Sequence, residues 1–374
     1  MKFSSIIGQK SFIQHLIRSV RENHISNTQL FTGPEGSGIL PLAIAYAQYI
    51  MCENKGEEDS CGVCPACLKN EKLVHPDLHF VFPVIKSSDS DSAISDEYLK
   101  EWREAVLSNP YLNLNKWVEK IASENKQAGI FEAESYRILE KLSFKSFESD
   151  YKIMIIWMAE KMNIHCANKL LKILEEPPSK TIFILVSENS DMLLPTVLSR
   201  CQSLRIPPID NNEIRDFLKT RNIPEERIND IIKISSGNFN KVLQLIEMQE
   251  EDKQWLDFFI QLMRIAFKKD VFSIIEWSNE MASLGREKQK RFLFYALKMI
   301  RNNFALNLAG KDVIYLNKEE SDFSINFSPY VNEKNIYKIA EEFDTACYQI
   351  ERNGNAKIIF LDVALQISNV IRRK

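Results

Sequence analysis

Glycine is scarce in this chain, 11 in 374 residues. That scarcity argues against a turn-rich all-β architecture and favours helix with some sheet. No apolar run approaches the length of a membrane span, and the opening MKFSSIIGQK lacks the apolar core of a signal peptide. A cytoplasmic protein is the expectation that follows. Basic residues are not in excess either: 48 Lys and Arg stand against 51 Asp and Glu, a formal charge of −3. No protein-wide positive field exists to hold nucleic acid, so any such contact has to be a local patch. The basic clusters REKQKR (286–291) and the terminal RRK read as solvated helix faces. The five histidines (His15, His24, His75, His79 and His165) form no spaced motif with acids or cysteines. What is present, 45% apolar and 26% charged residues, is the balance of an ordinary globular protein. The length is too great for one core and suits two or three packed units.

Periodicity orders the elements. Phe12, Leu16, Ile17 and Val20 share one face of a helix over 9–24. Gln29–Thr32 reads as a short buried strand running into GPEGSG (33–38), then an apolar helix from Ile39 to Met51. HFVFPV (79–84) reads as a second strand, and KIMIIW (152–157) and TIFILV (181–186) as central strands of a parallel sheet, apolar throughout because both faces are covered. A helix over 163–175 joins the last two, with Leu170, Leu171 and Leu174 inward and Pro177–Pro178 as its stop. This succession specifies a three-layer α/β domain ending near Ile206-Pro207-Pro208. The acidic, low-complexity stretch 87–97 has nothing to build a core from and reads as a mobile insertion. Trp102 and Trp117 lie on helical segments after it and are expected to pack locally. Asp210, followed by Glu213, opens a helix. Short helices follow to about Glu250, and 251–374 is helical apart from an irregular polar stretch near 311–330.

Gly33, Gly36 and Gly38 have the strand–loop–helix context and spacing of a phosphate-binding loop. The next two positions, which in a working loop are lysine and a hydroxyl residue, are Ile39 and Leu40. A lysine about 4 Å from a phosphate charge contributes roughly 4 kcal/mol at an effective dielectric near 20, much of it offset by desolvation. Its loss removes a principal source of triphosphate affinity, and the magnesium ligand goes with it. A plain strand-to-helix turn explains the glycines equally well. The magnesium-binding carboxylates that should end the strand 152–157 are replaced by Trp157 and Met158, with Glu160 two residues further on and outside the site. The pattern is that of an ATPase fold that does not hydrolyse ATP.

Cys52, Cys61, Cys64 and Cys67 offer four soft ligands within sixteen residues. In a cytosolic chain that spacing specifies a closed tetrahedral zinc site rather than disulfides, structural because no coordination position is left for water. Glu175 and Glu176 end a helix, where carboxylates oppose its dipole. Either solvent screens them or they face basic groups on a neighbouring chain.

GPEGSG, the cysteine cluster, His75-Pro76-Asp77, NKLLKILEEPP (168–178) and LPTVLSRC (194–201) together resemble the bacterial clamp-loader subunits of the AAA+ superfamily, and among these the delta-prime type of the DNA polymerase III holoenzyme. The resemblance covers about residues 1–250, interrupted near 86–127, and persists beyond only as helical character. The related gamma/tau motor subunits keep the loop lysine, the magnesium carboxylates and a lid arginine in a Gly-Ser-x-Arg pattern. This chain departs at Ile39, Leu40, Trp157 and Met158, and has Gly237-Asn238-Phe239-Asn240 in the lid. The resemblance implies an AAA+ core domain over 1–207 with a zinc module (52–67) and an insertion (86–127), a helical lid over 208–250, and an all-α collar over 251–374 that oligomerises. It implies a subunit that does not hydrolyse ATP, bound to gamma/tau and delta chains in a ring that places the sliding clamp on primed DNA. Within Ser199-Arg200-Cys201, Arg200 is implied to reach a neighbour's ATP site as an arginine finger. The rival readings are an active gamma/tau-like ATPase and a zinc-dependent nucleic-acid-binding protein; the acidic ENKGEEDS between the cysteines disfavours the second.

Overall fold

The computed structural model describes residues 1–86, 93–121, 127–309 and 318–372, without the side chains of 226, 248–252, 309 and 318. Its organising element is a five-stranded sheet of β1 (Thr28–Thr32), β2 (Leu78–Val81), β3 (Lys152–Trp157), β4 (Thr181–Ser187) and β5 (Gln202–Arg205). All pairings are parallel, in the order β2-β3-β4-β1-β5. Because successive side chains alternate across a strand, each strand feeds two cores. Phe31, Ile153, Ile155, Ile182 and Ile184 join the helices Lys10–Arg21 and Ile39–Met51 on one face. Leu30, Met154, Ile156, Phe183 and Leu185 join the helices Glu132–Ser143 and Ile164–Glu175 on the other. The three layers follow directly, and every residue of Ile39–Met51 is buried.

Two compact units are distinguished, Met1–Leu245 and Ile246–Lys374, and the helix Phe239–Lys268 carries the chain from one to the other. In the first, the helices Asn211–Thr220 and Glu225–Ser235 and the start of Phe239–Lys268 follow the sheet; we refer to this stretch as the lid. Asp210 caps it as expected, accepting the Asn212 N–H at 2.8 Å. The second unit is built from helices around Phe259, Trp277, Phe292, Phe343 and Phe360. No helix among the described residues is long and apolar enough to cross a membrane.

Four sequence expectations are corrected. The strand expected over 79–84 ends at Val81; Pro83 has no N–H to donate, and Val84 forms only an isolated bridge to Gly129. Residues 87–92 of the acidic stretch lie outside the described residues, but 93–97 are built into the fold. Ala93 and Ser95 are buried, Ser95 bonds to Glu134, and Asp96 pairs with Arg137 and Lys141 at 2.7 and 2.5 Å. Trp102 and Trp117 do not pack locally: both are fully buried against Phe82 and the sheet. Of the polar stretch near 311–330, 310–317 lie outside the described residues, while Lys318–Phe327 is helix, its Phe323 and Phe327 packing on Phe259.

Candidate functional site

In a parallel sheet the ligand crevice lies at the carboxyl ends of the strands, and there β1 runs into the glycine loop. Gly36 and Gly38 have φ of +75° and +87°, conformations that glycine adopts without strain. Gly33 is required by close approach, since a Cβ there would lie 2.5 Å from the Ile206 carbonyl. Ile39 and Leu40 turn into the core and are 6% and 2% exposed. Three oxygen acceptors of the loop are engaged by the chain, while the buried Ser37 hydroxyl has no partner among the described residues. The Gly36 carbonyl accepts the Phe239 N–H at 3.1 Å, the Ser37 carbonyl accepts Gln9 Nε2 at 3.0 Å, and Glu35 accepts Asn113 Nδ2 at 3.0 Å. A Cβ on Gly36 would stand 2.1 Å from Asn238 Oδ1, so the lid touches the loop directly.

At the end of β3, Trp157 is 1% exposed. Its ring lies 4.9 Å from that of Trp102, which stacks on Phe82 at 4.3 Å and meets Trp117 edge-on at 5.3 Å. The Trp117 indole donates to the Pro83 carbonyl at 2.7 Å. Met158, at φ +54°, is also buried. The end of β3, read in the sequence as the place of a magnesium carboxylate, is thus one face of an aromatic core. Glu160, placed outside the site by spacing, turns back to accept the Glu188 N–H at 3.1 Å. Burial, then the charges of Glu35 and Glu160, push the Glu188 carboxyl up to about 7, with Lys161 opposing. Glu35, Glu160 and Glu188 thus lie close enough at this edge to act on one another.

Arg200 follows the short helix Pro195–Leu198. Its Nε and Nη2 donate to Glu175 Oε2 at 2.8 and 2.7 Å, and its Nη1 to the Thr196 carbonyl at 2.9 Å. The side chain is 28% exposed and that of Glu175 57%, so the pair is a surface one with a contribution of about 0–1 kcal/mol. Two residues read separately in the sequence are therefore brought together, Arg200 offsetting the carboxylate at the helix end. Glu176 and Ser199 are exposed beside them. Burial pushes the Cys201 thiol up to about 11, which suits a packing role.

The sulfurs of Cys52, Cys61, Cys64 and Cys67 lie within 4.8 Å of one another. Gly62, at φ +77°, makes the turn between Cys61 and Cys64. Amides point at the sulfurs: Val63 and Cys64 N–H to Cys61 Sγ at 3.5 and 3.3 Å, Cys61 N–H to Cys52 Sγ at 3.3 Å, and Cys67 N–H to Cys64 Sγ at 3.4 Å. The Val63 and Cys64 amides draw the Cys61 thiol down to about 6, whereas burial raises Cys52 and Cys67. Four close sulfurs served by amide donors fit a tetrahedral thiophilic cation. The acidic loop between them is structural, since the Asp59 carboxylate accepts the Phe3, Ser4 and Ser60 amides.

Sequence reasoning did not find Gln9, Tyr111, Asn113 and Glu188 at this edge. No motif marks them; only Glu188, polar at the end of an apolar strand, carried a local signal.

A family model described as DNA polymerase III, delta subunit matches residues 8–210. The DNA polymerase III subunit delta' of Bacillus subtilis is 27% identical over 245 residues, covering 66% of this chain and 60% of that protein. The tau subunit of the same organism is 22% identical over 384 residues, covering 96% of this chain and again 60% of the relative. The chain thus aligns with about 60% of the length of each of these relatives. A solved structure of a gamma-subunit-related protein from Thermotoga maritima covers 96% of this chain and 99% of its own at 14% identity, with a TM-score of 0.39, too loose a likeness to argue from. With more than half of its length matched by the family model, the chain belongs to the DNA polymerase III delta-prime and clamp-loader family.

Proposed function

We propose that this chain is the non-hydrolysing delta-prime-type subunit of a cytoplasmic clamp loader. It partners gamma/tau and delta chains, and the assembly places a sliding clamp on primed DNA using ATP held by the motor subunits. The observation that carries this reading is that Ile39, Leu40, Trp157 and Met158, the positions of nucleotide and magnesium chemistry, are all core residues. In this reading 1–207 forms the AAA+ core with its insertion at 86–127, 208–250 the lid, and 251–374 the collar through which the subunits oligomerise. Cys52, Cys61, Cys64 and Cys67 hold a structural zinc that cross-links 52–67. Arg200, part-exposed and held by a surface pair with Glu175 and a bond to the Thr196 carbonyl, is the group available to a neighbour's ATP; Glu175 and Glu176 lie on the same interface.

The tau relative's coverage of 96% of this chain favours a second reading, a gamma/tau-like ATPase. Reconstitution separates the two. With gamma/tau, delta, clamp and primed DNA, clamp loading is expected to depend on this chain, while the chain alone releases no phosphate from magnesium ATP. Magnesium-dependent hydrolysis by the isolated chain would establish the second reading instead.

A further inference from the structure

The linker between the helices Leu99–Ser108 and Leu114–Ile121 reaches the glycine loop from outside the sheet. Tyr111 is its centre and is 8% exposed. Its ring lies over the start of the loop helix, so that a Cβ on Gly38 would be 3.2 Å from Tyr111 Cε1. Its hydroxyl accepts the Ile7 N–H at 2.9 Å, and its ring packs 4.6 Å from that of Phe239 in the lid. On one side Asn113 donates to Glu35 of the loop; on the other Asn109 Nδ2 donates to Asn240 Oδ1 of the lid at 3.3 Å. Asn109 Oδ1 also accepts the Tyr111 N–H at 3.0 Å, which presets the turn that presents the ring. These contacts place a flat aromatic group, hydrogen-bonded to backbone, above the amino end of the loop helix, with the N-terminal segment on one side and the lid on the other. A nucleotide seated on such a loop has to lie over that same helix end.

We propose that Asn109–Asn113 is an internal ligand: it fills the cleft beside the glycine loop and ties the lid to the core, so that their relative position is set without a nucleotide. This gives part of the 86–127 insertion a task, and it rests on the reading that the native chain does not use nucleotide.

The test is hydrogen exchange on the full chain, comparing Tyr111→Ala, Tyr111→Phe and Asn109→Ala with the parent. In Tyr111→Ala the amides of Asn211–Thr220 and Glu225–Ser235 are expected to exchange about tenfold faster or more, with those of Trp255–Ala266 unchanged. Tyr111→Phe, which keeps the ring, and Asn109→Ala, which cuts the Asn240 tie and the bond to the Tyr111 N–H but keeps the ring, fold as the parent does and show smaller increases. Unchanged lid exchange in all three would overturn the proposal. The occupancy is tested separately by restoring the loop with Ile39→Lys and Leu40→Thr. Calorimetric binding of magnesium ATP only after Tyr111→Ala is added supports it; binding with Tyr111 in place overturns it. ATP binding by the unaltered chain would instead strike the underlying reading, while lid exchange still reports on the tie.

Discussion

Replacing Arg200 with alanine is expected to lower ATP turnover at the neighbouring subunit's site by about 10³-fold in the assembled loader, the lower end of what an arginine supplied in trans contributes in phosphoryl transfer. The chain itself should be nearly unaffected. Arg200 pairs with Glu175 and also donates to the Thr196 carbonyl; the ion pair is solvent-accessible at both ends, so its loss costs at most about 1 kcal/mol. Arg200→Lys should recover little, because a flexible ammonium cannot reproduce the planar fork that spans two phosphate oxygens. Glu175→Gln leaves the guanidinium in place and removes a competing carboxylate, so turnover should be kept. Single-turnover phosphate release by the assembly reads all three variants. Parent-like release with Arg200→Ala would remove the trans role.

Removing the metal is expected to have the largest effect on stability. Thiolate zinc sites in small peptides bind with on the order of 10 kcal/mol at neutral pH, and that free energy is folding free energy. Here the cost should be local. Cys52 ends the buried helix Ile39–Met51 and Cys64 caps the helix Pro65–Glu71, while Asp59 between them holds the Phe3 and Ser4 amides. A strong chelator, or Cys67→Ser, should therefore release 52–71 and the first few residues to rapid exchange and proteolysis. The unit Ile246–Lys374 should melt as before. Metal analysis should find one zinc per chain. Well under one, with 52–71 still protected, would contradict the assignment.

The features readable in the sequence are those whose cause is local. The apolar runs of β3 and β4, the helix Ile39–Met51 behind its glycine loop, and the cysteine spacing each report what one segment requires. Periodicity shows that a residue is buried but not against what. Trp157 could be read as a lost ligand, yet its neighbour Trp102, and the Trp117 that Trp102 meets, come from a segment read as an insertion. Glu175 and Arg200, 25 positions apart, are adjacent only because helix and loop meet at the same edge. Tyr111 sits in an unremarkable polar turn, and its place over Gly38 is set by tertiary contacts with Ile7 and Phe239. The mobile reading of the acidic stretch fails at 93–97 for the same reason, since Ser95 and Asp96 are held by partners on Glu132–Ser143 that composition does not reveal.

Calorimetric titration of the purified, zinc-loaded chain with magnesium ATP tests the central claim most directly, that this is a clamp-loader subunit without a nucleotide site of its own. No heat beyond dilution is the expected result, because the loop lacks its lysine, Ile39 and Leu40 are core residues, and Glu35, Glu160 and Glu188 gather nearby. Micromolar binding at one site per chain would contradict it and make the chain a nucleotide-binding subunit.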